Sequence, residues 1–188
     1  MDLFLVAILG LPALVLILMG AVWLWLHGNR SVWYRQVRVG RLGRPFTLHK
    51  LRTLAPEHND QSGTLHYEDE ILKAGRLLRE WRLDELPQIW NILIGEMSWV
   101  GPRPEMPVYY EQICSKEPRF SQRQEALPGL TGLSQIKNPD LTANQFQEKL
   151  PDDLEYIRNA SLMLDLSILA KTLGTFRRFN QSSQKDPK

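Results

Sequence analysis

From Leu3 to Leu26 the chain carries no charged residue and is built mainly of Leu, Val, Ile, Ala, Phe and Trp. Such a run has to leave water, and roughly 20 apolar residues suffice to cross a bilayer. A secretory leader fits poorly: the residues before the run include Asp2 and no Lys or Arg, and no small-residue cleavage site follows it. Gly10-Leu11-Pro12 interrupts the run near its middle, where proline removes a backbone hydrogen bond and bends a helix. A spanning helix and a re-entrant helix that dips in and returns to the same face both satisfy this pattern, because proline kinks also occur in spanning helices. Trp23, Trp25 and His27 then sit at the headgroup level on exit, where amphipathic rings are favoured.

The charges that follow are one-sided. No Asp or Glu occurs from Leu3 to Pro56, whereas Arg30, Arg35, Arg38, Arg41, Arg44, Lys50 and Arg52 do, an asymmetry hidden in a net charge of +2. Basic residues just after an apolar segment mark the cytoplasmic side and an anionic lipid surface. A nucleic-acid patch is the rival explanation, and the preceding apolar run argues against it, so no nucleic-acid partner is expected. The length of 188 residues predicts one domain, and the single cysteine, Cys114, excludes an internal disulfide and fits a reducing compartment.

The densest chemistry lies between Trp81 and Pro104, in W-R-L-D-E-L-P-Q-I-W-N-I-L-I-G-E-M-S-W-V-G-P-R-P. Leu86, Ile89, Trp90 and Leu93 have the i, i+3, i+4, i+7 spacing of a buried helix face, and Pro87 is tolerable only in a first turn. Asp84 and Glu85 are therefore expected at or just before a helix N-terminus, where free N–H groups and the helix dipole stabilise negative charge. The plain reading makes Asp84 an N-cap and Glu85 a first-turn acid. A cap needs no cations, yet Lys50, Arg52, Arg79, Arg82 and Arg103 lie in segments that could converge on the pair, and Arg103 sits in a stiff Pro-Arg-Pro turn. Guanidinium groups beside carboxylates suit phosphate chemistry: arginine binds phosphate oxygens bidentately, while a carboxylate holds a divalent cation or attacks phosphorus.

The run from Leu83 to Pro104 resembles the signature of the bacterial sugar transferases known as small monotopic phosphoglycosyl transferases, which load a sugar phosphate onto polyprenyl phosphate. The likeness extends to F-T-L-H-K-L-R-T-L (Phe46–Leu54), to P-G-L-T-G-L-S-Q (Pro128–Gln135) and to L-M-L-D-L-S-I-L-A-K-T (Leu162–Thr172), so that it covers the chain from Val32 to Thr175. It implies a kinked re-entrant N-terminal helix with both ends cytoplasmic, although the family's break is often Ser-Pro and here reads Leu11-Pro12. It also raises Lys50, otherwise a solvated strand lysine, and Arg79 to phosphate-binding residues. The sequence departs from the family after Gln135. The usual Asn-Gly-Arg is replaced by Ile136-Lys137-Asn138-Pro139, which leaves Lys137 as a substitute for the missing arginine or a differently built pocket.

Elsewhere, Val37–Arg52 reads as a hairpin turning at Gly40 and Gly43. The polar stretch from Ala55 to Tyr67 reads as a mobile loop in which His58 and His66 match no metal spacing. Glu70–Arg82 predicts an amphipathic helix with Ile71, Ala74, Leu77, Leu78 and Trp81 inside, and Pro107–Phe120 a further helix in which Tyr109 and Tyr110 pack. Pro128-Gly129-Leu130-Thr131-Gly132 predicts a tight turn, and Leu150–Phe179 one or two amphipathic helices with a basic end, suited either to a core or to a membrane interface. No phosphate-binding glycine loop, dinucleotide fingerprint or zinc spacing is present in the sequence.

The expected fold is mainly α with a short β-hairpin (α+β): a membrane-inserted helix over 1–28, a cytoplasmic-face catalytic domain over 29–179 and a disordered polar tail over 180–188. The resemblance implies a monotopic enzyme of the bacterial inner membrane, acting by double displacement on a UDP-sugar. In that scheme Asp84 attacks the β-phosphate and releases UMP, and polyprenyl phosphate then takes the sugar phosphate from the aspartyl intermediate. Mg²⁺ would be held by Asp84 and Glu85, with Lys50, Arg79, Arg103 and Lys137 on the substrate phosphates. Two other classes remain open: a non-catalytic membrane-anchored scaffold binding anionic lipid, and an enzyme transferring a whole diphosphate-linked group without a covalent intermediate.

Overall fold

The apolar run forms one helix, α1 (Asp2–Leu26), with Pro12 inside it. The computed structural model describes residues 1–54, 72–139 and 145–183, the last helix by its backbone alone beyond Gly174. After α1 come strands β1 (Trp33–Val39) and β2 (Pro45–Leu51), which pair as the expected antiparallel hairpin. The connection is a 3₁₀ turn over Arg41–Gly43, and Gly43 supplies the left-handed backbone, at φ +73°, that the reversal requires. The chain continues through α2 (Lys73–Glu80), a 3₁₀ segment (Leu83–Gln88), α3 (Ile89–Leu93) and β3 (Ser98–Val100). Helix α4 (Pro107–Lys116), a second 3₁₀ segment (Pro118–Glu125), β4 (Gly129–Thr131), α5 (Leu133–Lys137), α6 (Phe146–Asn159) and α7 (Leu162–Ser183) complete it. Mainly helical structure with a short hairpin is thus what the sequence predicts.

The chain divides into two compact units, Met1–Val37 with Thr47–Gly95, and Arg38–Phe46 with Glu96–Lys188. In the first, Leu24, Leu51, Ala74 and Leu78 form a buried cluster against which Ile17, Ala21, Val32 and Leu83 pack. Helix α1 is therefore part of a core as well as an apolar rod. A Cβ on Gly20 would stand 2.9 Å from Leu51 Cδ1, so a larger residue here would have to displace the end of the Leu51 side chain. Trp23 Nε1 donates to the Ala74 carbonyl at 3.1 Å and ties α1 to α2.

In the second unit Ile113, Phe120 and Leu150 are buried among Tyr109, Tyr110, Cys114, Phe146 and Leu154, so the two tyrosines pack as expected. The segment read as a tight turn around Thr131 instead contains a strand, β4, which pairs in parallel with β3: Ser98 lies opposite Gly129 and Val100 opposite Thr131. Glycine makes this possible: a Cβ on Gly129 would lie 2.1 Å from the Gly101 nitrogen. The Tyr156 hydroxyl of α6 lies 3.1 Å from the Val100 carbonyl and 2.9 Å from Asp165 Oδ1, bracing the pair against α6 and α7.

Several boundaries and faces differ from expectation. Of the helix read over Glu70–Arg82, residues 73–80 are helical and Glu70 and Ile71 lie outside the described residues, as do His58 and His66. Ala74 and Leu78 are buried, but Leu77, Trp81, Trp90 and Leu93 are exposed. Helical spacing identifies an apolar stripe without saying whether protein or lipid covers it. The stretch from 150 onward is a helix pair, and α7 runs on to Ser183, into the segment read as a disordered tail; residues 184–188 are outside the described set.

Candidate active site

Asp84 and Glu85 occupy the first turn of the 3₁₀ segment Leu83–Gln88. Asp84 is not the cap. That position falls to Arg82, whose left-handed backbone at φ 50° swings the chain out of the end of α2 and into the new turn. Pro87 lies inside this segment and has no N–H to donate to its ladder. Both acids are 8% exposed. Burying two adjacent carboxylates is costly unless they are paired and hydrogen-bonded. Glu85 meets that need in part through Lys50, whose Nζ donates to Oε1 at 2.7 Å.

Lys50 is delivered by strand β2, and β2 is held in register by a residue that sequence reasoning missed. Asn91, fully buried in α3, donates from Nδ2 to the Thr47 carbonyl at 2.7 Å and accepts from the His49 N–H at 3.3 Å through Oδ1. A side-chain amide thus bridges two backbone groups of β2 immediately before Lys50. The available signal was an asparagine inside the apolar run I-W-N-I-L. Gln88, one turn beyond the dyad, is also buried, and its Nε2 has no acceptor among the described residues. Arg79 lies in the last turn of α2, exposed, five residues before Asp84. The first unit therefore joins Lys50 and Glu85 directly and carries Asp84 and Arg79 on adjoining turns.

Arg103 and Lys137 belong to the second unit. Arg103 is half-buried between Pro102 and Pro104, and the turn is anchored through its carbonyls. A small cleft beside it is lined by Val39, Pro102, Pro104, Arg123 and Pro128. Lys137 lies at the end of α5 and is 43% exposed, with Nζ 2.8 Å from both Asp152 Oδ1 and Glu155 Oε2 of α6. These two hydrogen bonds, that to Asp152 first, hold its ammonium above the usual lysine range. Arg123 pairs with Asp153 at 2.6 Å, both fully buried. Among the described residues no group of three or more His, Cys, Asp or Glu side chains gathers to hold a metal. The adjacent oxygen donors of Asp84 and Glu85 nevertheless suit Mg²⁺, which is usually held by one or two carboxylates together with substrate phosphates.

Residues 1–178 match the family model described as bacterial sugar transferase. The chain is 41% identical over 142 residues to the uncharacterized sugar transferase EpsL of Bacillus subtilis, covering 76% of this chain and 68% of that one. It is 34% identical over 163 residues to the UDP-glucose:undecaprenyl-phosphate glucose-1-phosphate transferase of Caulobacter vibrioides, covering 84% and 61%. A UDP-N-acetylgalactosamine-undecaprenyl-phosphate N-acetylgalactosaminephosphotransferase of Aeromonas hydrophila is 34% identical over 176 residues, covering 91% of this chain and 41% of its own length. The matched part thus spans from about two thirds down to about two fifths of these relatives. With the dyad, its lysine and the Pro-Arg-Pro turn all inside the matched region, the chain belongs to the bacterial sugar transferase family.

Proposed function

We propose that this chain transfers a sugar 1-phosphate from a UDP-sugar to polyprenyl phosphate with release of UMP, at the cytoplasmic face of the bacterial inner membrane. The observation that carries the reading is the buried Asp84–Glu85 pair with Lys50 fixed 2.7 Å from Glu85. A helix cap needs neither the burial nor the lysine. The relatives named above, which act on UDP-glucose or UDP-N-acetylgalactosamine and undecaprenyl phosphate, support the substrate classes.

In the first step an Asp84 carboxylate oxygen bonds to the β-phosphorus, and the P–O bond of the diphosphate breaks with its electron pair leaving on UMP. In the second, an oxygen of polyprenyl phosphate bonds to the same phosphorus and the acyl phosphate bond returns its pair to Asp84. Lys50 neutralises charge beside Glu85 and, as UMP leaves, on the phosphate oxygens, and Arg79 and Arg103 add guanidinium donors for phosphate. Glu85 holds Lys50 and shares with Asp84 the task of binding Mg²⁺. When bound, that ion supplies charge neutralisation on the diphosphate. Asp84 is assigned as nucleophile from the family resemblance. Lys137, already engaged by Asp152 and Glu155, is assigned to stapling α5 to α6 rather than to phosphate.

A monotopic arrangement is supported by how α1 packs. Its buried positions run from Ala13 through Gly20 to Leu24, and the helix contacts α2, α3 and the dyad segment. The exposed Trp81, Trp90, Leu93 and Ile94 of the same unit add an apolar surface suited to lipid close to the dyad in the chain. Reconstitution in lipid with a panel of UDP-sugars, polyprenyl phosphate and Mg²⁺ tests the function: one sugar nucleotide should give UMP and a lipid-linked product in equal amounts. Consumption of none, or release of UDP in place of UMP, refutes it.

A further inference from the structure

Four consecutive carbonyls of the Pro102–Glu105 run are each taken by a different donor. The Gly129 N–H donates to Pro102 at 3.0 Å, Arg123 Nη2 to Arg103 at 2.9 Å, Arg38 Nη1 to Pro104 at 3.1 Å and the Val39 N–H to Glu105 at 2.9 Å. Pro102 and Pro104 have no N–H, so carbonyls are the handles by which this turn can be held. Two of the donors are backbone amides of the end residues of β1 and β4. The other two are arginine side chains, and Arg123 is the more demanding of them, since it is 3% exposed.

Arg123 is completely organised by its neighbours. Its Nε donates to Asp153 Oδ2 at 2.6 Å, and Ser134 Oγ donates to the other carboxylate oxygen at 2.8 Å. Its guanidinium carbon lies 4.4 Å from the centre of the Phe120 ring, and Nη1 lies 4.0 Å from Glu105 Oε1. Fold stability alone accounts poorly for such a group: desolvation offsets most of the attraction in a buried ion pair, and well-packed apolar residues usually serve as well or better. What an apolar residue could not do is donate to the Arg103 carbonyl.

We propose that Arg123, oriented by Asp153 and Ser134, is a positioning residue that fixes the backbone of Arg103 and so aims the Arg103 guanidinium. The inference rests on the reading of Arg103 as a phosphate-binding group. A misplacement of about 1 Å at such a group is enough to cost on the order of a hundredfold in rate.

A double-mutant cycle between Arg123→Lys and Arg103→Ala tests it. Lysine keeps the charge beside Asp153, but its single ammonium cannot replace the guanidinium's simultaneous reach to the carboxylate and the Arg103 carbonyl. UMP release is measured on the UDP-sugar that wild type turns over, with the unfolding midpoint of every variant alongside. Each single change should lower kcat/KM by about tenfold or more, while the double variant should fall less than about twofold below Arg103→Ala, because Arg123 has nothing left to aim. Losses that multiply in the double variant overturn the positioning role, as does an Arg103→Ala enzyme with unchanged kcat/KM. Asp153→Asn, which keeps the shape and an acceptor, runs the same cycle if Arg123→Lys does not fold, with the same non-additivity expected. Multiplying losses in an active enzyme sink this inference alone, whereas a wild type inert toward every UDP-sugar sinks the transferase reading and the positioning role with it.

Discussion

Replacing Lys50 with methionine keeps the length of the side chain and removes the ammonium that faces Glu85. The two side chains are 18% and 10% exposed and 2.7 Å apart. At an effective dielectric of about 20, two unit charges at that separation attract by roughly 6 kcal/mol, most of which is offset by the desolvation of both groups. The larger effect is on the partner left behind, a mostly buried carboxylate deprived of its charged donor. A charge-assisted hydrogen bond at a site still partly open to water sets that loss at about 2–3 kcal/mol. For a chain of this size that is a fall of about 4–12 °C in melting temperature. Equilibrium denaturation in detergent measures it directly. The double variant Lys50→Met with Glu85→Gln should recover at least about half of the lost stability, since the stranded charge is gone, without recovering transferase activity. A loss below about 0.5 kcal/mol in the single variant, or a double variant less stable than the single, would refute the claim that Lys50 compensates a buried Glu85.

Three further outcomes follow from the structure. Gly129→Ala should cost about 3 kcal/mol or more, because its methyl would meet backbone held by the β3–β4 pair, whereas Gly174→Ala, with nothing within 4 Å among the described residues, should be neutral or stabilising by up to about 1 kcal/mol; denaturant midpoints compare the two. Burial holds the Lys149 ammonium below the usual lysine range, so its protonated form costs stability at every pH beneath that depressed value, and the cost fades as pH rises through it toward 10.5. Lys149→Met should therefore melt higher than wild type near pH 7 by about 1 °C or more, with the gap closing by pH 10.5. Lys137→Ala should cost less than about 1 kcal/mol, since the pair is exposed, and leave kcat/KM within about threefold of wild type, a result that separates a staple from a phosphate ligand. The stability Lys137 contributes is present below pH 10.5 and is lost as pH rises through its raised pKa.

The local parts of this structure were legible in the sequence. The apolar run, the hairpin turning at Gly40–Gly43 and the position of the dyad at the start of a helical segment all follow from periodicity, charge and turn chemistry within a few residues. What could not be read was whatever depends on distant partners. The strands at Ser98–Val100 and Gly129–Thr131 are three residues each and gain their hydrogen bonds from segments about thirty residues away, so neither reads as a strand alone, and the second reads as a turn. Asn91, Arg123 and Asp153 are ordinary polar letters until the backbone groups and charges they satisfy are brought beside them. Exposed apolar residues such as Trp81 and Trp90 were read as core because helical spacing is the same whether the stripe faces protein or lipid.

The central claim is that Asp84 becomes covalently loaded, and intact-protein mass spectrometry tests it most directly. The protein is incubated with the UDP-sugar it consumes and with Mg²⁺, in the absence of polyprenyl phosphate, and quenched in acid. Wild type should gain the mass of one sugar phosphate, mapped by fragmentation to Asp84, and lose it when polyprenyl phosphate is added. Asp84→Asn should gain nothing while folding normally, because asparagine has the shape of aspartate without the attacking carboxylate. An enzyme that turns over fully with no adduct on wild type, or an adduct of equal size on Asp84→Asn, would contradict the double displacement.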